Sequence, residues 1–220
     1  MTPRRYHLGQ RAAAAEQTRE RIISAAHTLL VGAGVTRFTV NAVASRADVA
    51  RQTVYDQFGG RSGLLEAVFD GLANRNGLPE LRRVFEDPDP WQALDRFVAV
   101  FARFWHAERN ALRRIRGYAA VDVELGQVVS ARDERRRSAA AVLLGRLGEQ
   151  LGWADRSWQA EATDAVFCLT SFETLDCLTG RDRSFDDVLR MITQLCRVAV
   201  QPPAGEPARP PPAGGARAGG

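Results

Sequence analysis

The chain has 220 residues, of which 45% are hydrophobic and 25% charged, and this composition favours a globular fold over disorder. No apolar run reaches the roughly 18–20 residues that cross a bilayer, and the first residues lack the apolar segment of a secretory signal. The three cysteines are widely spaced without a CxxC pair, which excludes a disulfide scaffold or zinc ribbon and is typical of the reducing cytoplasm. The three histidines are scattered, so no histidine-based metal site is predicted.

Positive charge is concentrated at the start of the chain. Residues 1–65 contain 9 arginines and 4 acidic residues, whereas residues 66–220 contain 21 arginines and 22 acidic residues. A basic N-terminal part suggests binding to a polyanion, and an ordinary solvated surface is the alternative. Every basic residue is arginine, whose planar guanidinium suits paired contacts with phosphate or guanine.

Both ends of the chain are predicted to be flexible. Residues 1–17 form a basic arm with Arg4, Arg5 and Arg11, which either follows the minor groove of DNA or is simply solvated. Residues 201–220 are rich in proline, glycine and alanine, and such a tail buries too little apolar surface to offset the entropy of ordering it.

Between these ends the apolar residues repeat with the period of an α-helix, and no strand-like alternation is sustained. The fold class is therefore predicted to be all-α, with about nine or ten helices. The predicted helices span about residues 18–32, 40–47, 50–58, 61–72, 80–86, 91–106, 112–119, 130–151, 157–179 and 185–199.

Residues 39–58, TVNAVASRADVARQTVYDQF, have the pattern of a helix-turn-helix unit. Thr39 is placed to cap the first helix, and Ala44 is small enough for the two helices to approach closely. Asp48 falls in the turn, where the backbone must be left-handed; glycine is commonest there, but aspartate tolerates it. An ordinary pair of short core helices is the alternative interpretation.

The second helix of this unit would project polar side chains outward. Arginine and glutamine read guanine and adenine edges in the major groove, so this helix is the candidate recognition helix. Its candidate DNA-contacting side chains are Arg51, Gln52, Thr53 and Tyr55.

The helix-turn-helix unit and the residues around it share a set of motif positions over roughly residues 18–72. These positions are Thr39–Val40, Ala42–Val43–Ala44, Ala47–Asp48–Val49, Thr53–Val54–Tyr55, Phe58, Arg61 and Leu64–Leu65. On these residues the chain resembles the TetR family of bacterial transcriptional regulators. It departs from the family pattern at Asp48, which replaces a glycine, at Ala50, which removes a common cap, at Gln57, and at Arg61, which replaces a lysine.

The resemblance implies a DNA-binding domain at residues 18–65 and a helical effector-binding and dimerisation domain at residues 66–200. It implies that Thr39, Tyr55 and Arg61 contact DNA phosphates. Double-stranded operator DNA, a second copy of the chain and an unknown small-molecule effector are the implied partners, with no membrane and no cofactor. The homodimer would form through helices near residues 157–179 and 184–200.

The resemblance also implies an effector pocket in the C-terminal domain. The effector is expected to be a small hydrophobic molecule, because the candidate liners are mainly aromatic; ordinary core packing is the alternative for each of them. These liners are Trp91, Phe97, Phe101, Phe104, Trp105, Tyr118, Phe167 and Phe172.

Charged residues of the C-terminal part have two interpretations. Four acidic residues either bind a cationic effector or form a solvated face; they are Asp122, Glu124, Glu173 and Asp176. The run of residues 133–137, DERRR, is interpreted as an exposed charged face of a helix.

The predicted function is a homodimeric repressor that a small effector releases from an inverted-repeat operator. A DNA-binding architectural protein without an effector is one alternative. An enzyme is the other; no nucleophile–base pair, phosphate loop or metal-ligand spacing supports it, so no catalytic or metal-binding residue is predicted.

Overall fold

The computed structural model describes residues 4–32, 37–153, 156–179 and 183–201, with side chains from residue 12 onward and without that of Arg156. These residues form eleven α-helices and one turn of 3₁₀-helix at Leu78–Glu80, and none of them forms a strand. The all-α prediction is therefore confirmed. The helices are α1 Arg4–Gly32, α2 Val40–Ala47, α3 Arg51–Phe58, α4 Arg61–Arg75, α5 Leu81–Glu86, α6 Pro90–Ala107, α7 Arg109–Ala119, α8 Val123–Leu151, α9 Arg156–Leu169, α10 Phe172–Thr179 and α11 Phe185–Ala199.

The chain divides into two compact units. The first comprises Met1–Pro79 and Ala107–Asp133, and the second comprises Glu80–His106 and Glu134–Gly220. The unit that holds the helix-turn-helix thus includes α7 and the first part of α8, which the sequence interpretation assigned to the C-terminal domain. Helix α8 contributes residues to both units.

The core of the first unit forms where α1 packs against α2 and α4, and α2 and α4 pack against α3. Ile22 and Leu30 on α1, Val43 on α2 and Val54 on α3 are completely buried. Burying such side chains contributes about 1.5–3 kcal/mol each. This shared core fixes the short helix α3, because a helix of eight residues is not stable in isolation.

In the second unit, α9 and α10 pack against α11. The buried face of α11 carries Val188, Ile192 and Cys196 at helical spacing. Burial raises the pKa of the Cys196 thiol to about 12, with a smaller contribution from the nearby Asp95 carboxylate, so this thiol stays protonated.

Two predicted helix starts were wrong. Helix α1 begins at Arg4 rather than at Thr18, and the Thr18 hydroxyl donates to the carbonyl of Ala14 instead of capping. The alanine run before it favours helix strongly. Helix α8 begins at Val123, where Asp122 accepts a hydrogen bond from the Leu125 amide. The side chains of Arg4, Arg5 and Arg11, and the tail beyond residue 201, lie outside the described residues.

The single helix predicted over residues 157–179 is two helices in the structure. Helix α9 ends at Leu169 and α10 begins at Phe172. The Trp105 indole N–H donates to the Thr170 carbonyl at 2.9 Å, and the Ser171 hydroxyl accepts from the Thr174 amide as a new N-terminal cap. These contacts satisfy the backbone on both sides of the break.

Gly63 marks a close approach between α3 and α4. A Cβ atom at this position would lie 1.9 Å from the carbonyl oxygen of Phe58, so we expect Gly63→Ala to force the helices apart and destabilise the chain by about 1–3 kcal/mol. Gly117→Ala is the control, because nothing lies within 4 Å of its added Cβ and alanine favours helix by about 0.5–1 kcal/mol. Urea denaturation checks both; equal midpoints for the two variants would contradict the expected crowding.

Candidate DNA-binding site

The turn between α2 and α3 has the geometry predicted from the sequence. Thr39 caps α2, and its Oγ1 accepts a hydrogen bond from the Ala42 amide at 3.1 Å. Asp48 has a φ of 52° in the left-handed region, and the Val49 amide donates to the Ala44 carbonyl at 3.0 Å. Left-handed backbone at one residue reverses the chain tightly, so α3 begins only four residues after α2 ends.

Helix α3 buries one face and exposes the other. Val54 and Phe58 face the core, and Ala50 provides no side-chain cap, as expected. The predicted residues Arg51 and Gln52 are exposed, and Thr53 and Tyr55 are half-buried. Asp56, which the sequence interpretation missed, is also exposed. The sequence does indicate this position, because a residue four places after Gln52 lies on the same face of a helix.

The exposed side chains of α3 are paired along the helix. Nη2 of Arg51 donates to the Tyr55 hydroxyl oxygen at 3.0 Å, with the guanidinium 5.2 Å from the ring centroid. Nε2 of Gln52 donates to Oδ1 of Asp56 at 2.8 Å. The Tyr55 hydroxyl accepts in this pair, so its proton is available to an external acceptor.

Arg61, at the start of α4, is held by contacts within the first unit. Nη1 donates to Oδ1 of Asp122 at 3.1 Å and to Oε2 of Glu124 at 2.7 Å, and Nη2 donates to Oδ2 of Asp122 at 2.7 Å. Nε donates to the Phe38 carbonyl at 3.2 Å. The side chain is 22% exposed. Four hydrogen bonds therefore engage a guanidinium that has five N–H donors.

A second arginine makes the reciprocal connection. Arg132 of α8 donates to Oδ1 of Asp70 at 2.8 Å and to the Glu66 carbonyl at 3.0 Å, and it pairs with the Glu66 carboxylate. Its guanidinium lies 5.0 Å from the Phe69 ring centroid. One arginine of α4 thus binds residues at the start of α8, and one arginine of α8 binds residues of α4. We call these two sets of contacts the reciprocal clamp.

The clamp corrects the interpretation of two acidic residues. Asp122 and Glu124 do not form a free cation site, because both bind Arg61. Asp122 is half-buried, whereas Glu124 is exposed, as the solvated-face interpretation expects. The hydrogen bonds from Arg61 lower the pKa of the Asp122 carboxyl, against the opposing effect of its partial burial. Asp122 therefore stays ionised to a lower pH than an unpaired aspartate does.

Most of the predicted pocket residues lie in the second unit, whereas Tyr118 belongs to the first. Phe97, Phe101, Phe104, Trp105 and Phe172 are at most 7% exposed. Their rings contact one another in a chain, with centroids 4.7–6.0 Å apart. We call these five residues the aromatic cluster.

Two of the predicted pocket residues have other surroundings. Trp91 packs edge-on against Trp153 and lies under the guanidinium of Arg197. Phe167 stacks with Arg136, whose guanidinium is 4.1 Å from the ring centroid.

The interpretation of residues 133–137 as an exposed face is wrong for Arg136, which is 3% exposed, whereas Glu134 and Arg135 are exposed. Arg136 donates to the Phe167 carbonyl at 2.6 Å and to the Thr170 hydroxyl at 2.9 Å. The guanidinium also lies 5.9 Å from the Phe101 ring centroid. Hydrogen bonds and aromatic faces thus compensate the burial of this charge.

Among the described residues, no group of three or more histidine, cysteine or acidic side chains could hold a metal ion. None of the helices in this part of the chain is both long and apolar enough to span a membrane.

The turn, the capped α2 and the outward face of α3 together define a helix-turn-helix domain. Residues 22–68 match the family model described as bacterial regulatory proteins, tetR family. Residues 22–68 thus match the DNA-binding domain of the TetR family, and the resemblance predicted from the sequence is confirmed over this region.

Known proteins similar to this chain match it over a region of 70 residues. The HTH-type transcriptional regulator SrpR of Pseudomonas putida is 44% identical over 70 residues, which are 32% of each chain. TtgW of the same species, an HTH-type transcriptional regulator, is 43% identical over 70 residues, 32% of this chain and 50% of that one. The match therefore spans a third to a half of these curated relatives.

The fold extends the similarity beyond this region. A TetR-like transcriptional regulator from Rhodococcus sp. RHA1 superposes with a TM-score of 0.56 at 18% identity, over 86% of this chain and 97% of that one. At this level of identity the similarity concerns the fold.

The Arg61–Asp122 contact predicts an acid-dependent stability. Asp122→Asn removes charge-assisted hydrogen bonds, so we expect it to cost about 1–3 kcal/mol at pH 7. Because the folded-state pKa of Asp122 is lowered, its contribution is present above the unfolded pKa of about 4 and is lost as the pH falls through the lower folded value. Urea titrations from pH 7 to pH 2 measure the difference between the two proteins.

The control is Asp70→Asn, which removes a 63% exposed carboxylate from the other half of the clamp. An exposed ion pair contributes about 0–1 kcal/mol, so this variant is expected to be nearly as stable as the wild type. A constant difference between Asp122→Asn and wild type down to pH 2 would contradict the role of the ionised carboxylate.

Proposed function

We propose that the protein is a cytoplasmic, homodimeric transcriptional repressor that binds an inverted-repeat operator and is released from it by a small hydrophobic effector. The observation that carries the proposal is the outward face of α3, held by the left-handed turn at Asp48. A helix presented in this way can enter the major groove of DNA with its polar side chains toward the base edges.

The proposed DNA contacts divide into positioning and reading. Thr39 and Tyr55 each have a hydroxyl proton available for a phosphate, because their oxygens accept within the protein. Arg51, Gln52 and Thr53 contact base edges. Arg61 has one N–H donor left for a phosphate beside its four internal bonds, so its main contribution is to hold the domain together.

The proposed dimer would form through α9, α10 and α11. Beside its buried face, α11 carries a second apolar stripe at Met191, Leu195 and Val198, with the spacing i, i+4, i+7. Leu195 is 43% exposed and Val198 is 67% exposed. One module reads only a few base pairs, so two related by a two-fold axis supply useful specificity.

The proposed release uses the reciprocal clamp. Helix α8 contributes to both units, and the clamp joins its first part to α4 and so to the helix-turn-helix. An effector bound in the second unit would favour a position of α8 that changes the separation of the two recognition helices. Coupling of about 1–3 kcal/mol would change operator affinity roughly 5–150-fold.

An effector-independent DNA-binding protein is the second candidate. The dense packing of the aromatic cluster, at most 7% exposed, favours it over a preformed pocket. The two candidates are distinguished by titrating the protein with a small molecule that it binds, in the presence and in the absence of operator DNA. If the small molecule is an effector, linkage requires operator to weaken its binding by the same factor by which it weakens operator binding.

The proposed DNA contacts predict two different losses of affinity. Selection from random DNA first defines the operator. Gln52→Ala is then expected to weaken operator binding by about 1–3 kcal/mol, through loss of a bidentate base contact, with little effect on random DNA. Tyr55→Phe is expected to weaken both by about 1 kcal/mol, because a phosphate hydrogen bond carries no sequence information. Fluorescence anisotropy on both DNAs measures this, and equal losses for Gln52→Ala would reject its reading role.

The dimer proposal predicts that negative charges introduced into the second apolar stripe of α11 prevent dimerisation. Leu195→Glu with Val198→Glu is expected to give a monomer in sedimentation velocity at micromolar concentration, and to lose operator binding. Thr193→Glu is the control: it lies on the same helix but outside both apolar stripes. The expected separation of the recognition helices in the intact dimer is about 34–36 Å, one turn of DNA. A wild-type monomer at this concentration would contradict the proposal.

A further inference from the structure

The outward face of α3 carries an acidic side chain, Asp56, which is unexpected on a surface that meets DNA. Gln52 and Asp56 are one helical turn apart, and Val54, between them in sequence, is completely buried on the opposite side. Both polar side chains are exposed. Their shared face is the one that the proposed function places against the base edges, and the inference below rests on that function.

A carboxylate near DNA is repelled by the phosphates, so Asp56 does not add affinity by charge. Its observed partner is the Gln52 amide, whose Nε2 donates to Oδ1 of Asp56 at 2.8 Å. A carboxylate only accepts hydrogen bonds. The amide nitrogen of Gln52 must therefore face Asp56, and the flipped amide, which would set two acceptor oxygens against each other, is disfavoured.

This contact determines what Gln52 can offer to a base. An amide with one N–H committed to Asp56 retains one acceptor, Oε1, and one donor, the other N–H. Adenine presents the complementary pair in the major groove, the N6 donor and the N7 acceptor, whereas guanine presents two acceptors, N7 and O6. One remaining donor cannot satisfy both acceptors of guanine.

We propose that Asp56 is a positioning residue that fixes the Gln52 amide and thereby restricts Gln52 to adenine. Asp56 contributes to sequence specificity without itself contacting a base. Its cost in phosphate repulsion is the same for every sequence, so it lowers overall affinity while sharpening the choice of base at one position.

Asp56→Asn is the sharpest test, because asparagine has nearly the same shape but both accepts and donates. Either orientation of the Gln52 amide is then satisfied, so we expect the preference for A·T over G·C at the Gln52 position to be largely lost. For the wild type this preference is expected to be about 5–150-fold. Affinity for random DNA is expected to rise, since a negative charge has been removed.

Two further variants isolate the effect. Glu20→Gln removes one negative charge from exposed α1 in the same unit, so it is expected to raise affinity for all sequences and leave the base preference unchanged. In a Gln52→Ala background, Asp56→Asn is expected to have no further effect on preference, as a double-mutant cycle requires when one residue acts through the other.

The measurements are competition titrations of the intact chain on the selected operator and on operators changed at single base pairs. The position that loses its preference in Gln52→Ala identifies the base pair concerned. Three results would overturn this inference and leave the proposed function intact. The first is an unchanged base preference in Asp56→Asn, and the second is an equal change of base preference when Asp56→Asn is made in the Gln52→Ala background. The third is a base pair other than A·T at that position. A wild-type chain that selects no site would overturn the proposed function and this inference with it.

Discussion

The ion pair of Arg61 with Asp122 and Glu124 connects the helix-turn-helix to the rest of the first unit. The guanidinium is 22% exposed, and partial burial strengthens charge-assisted hydrogen bonds relative to those in water. Its fourth bond goes to the carbonyl of Phe38, whose side chain is itself buried, just before α2. One side chain therefore fixes the entry into α2, the start of α4 and the start of α8.

The regular features of the fold could be predicted from the sequence because they depend on local rules. The cap at Thr39 and the left-handed turn at Asp48 each follow from the conformational preference of one residue. The apolar spacing likewise predicted an all-helical chain, which needs no knowledge of which helices pack together.

Other features depend on contacts between residues far apart in the chain, and local patterns do not contain them. The break between α9 and α10 depends on Trp105, about 65 residues earlier, through its bond to the Thr170 carbonyl. Arg136 belongs to a charged run that is typical of a solvated face, yet it is buried against Phe101 and Phe167. Arg61 has the position of a phosphate contact in the family, but its carboxylate partners lie 61 and 63 residues away.

The two side-chain pairs on α3 have a consequence for binding that follows from entropy. Ordering a long side chain at an interface costs about 0.5–1.5 kcal/mol. Arg51 is already hydrogen-bonded to Tyr55, and Gln52 to Asp56. Part of the side-chain ordering has therefore taken place in the protein before it binds DNA. The backbone beneath them is equally fixed, since Val54 and Phe58 anchor α3 in the core. In the proposed complex, the same helical spacing of four residues that packs α3 against the protein also arranges the side chains that would read the base edges.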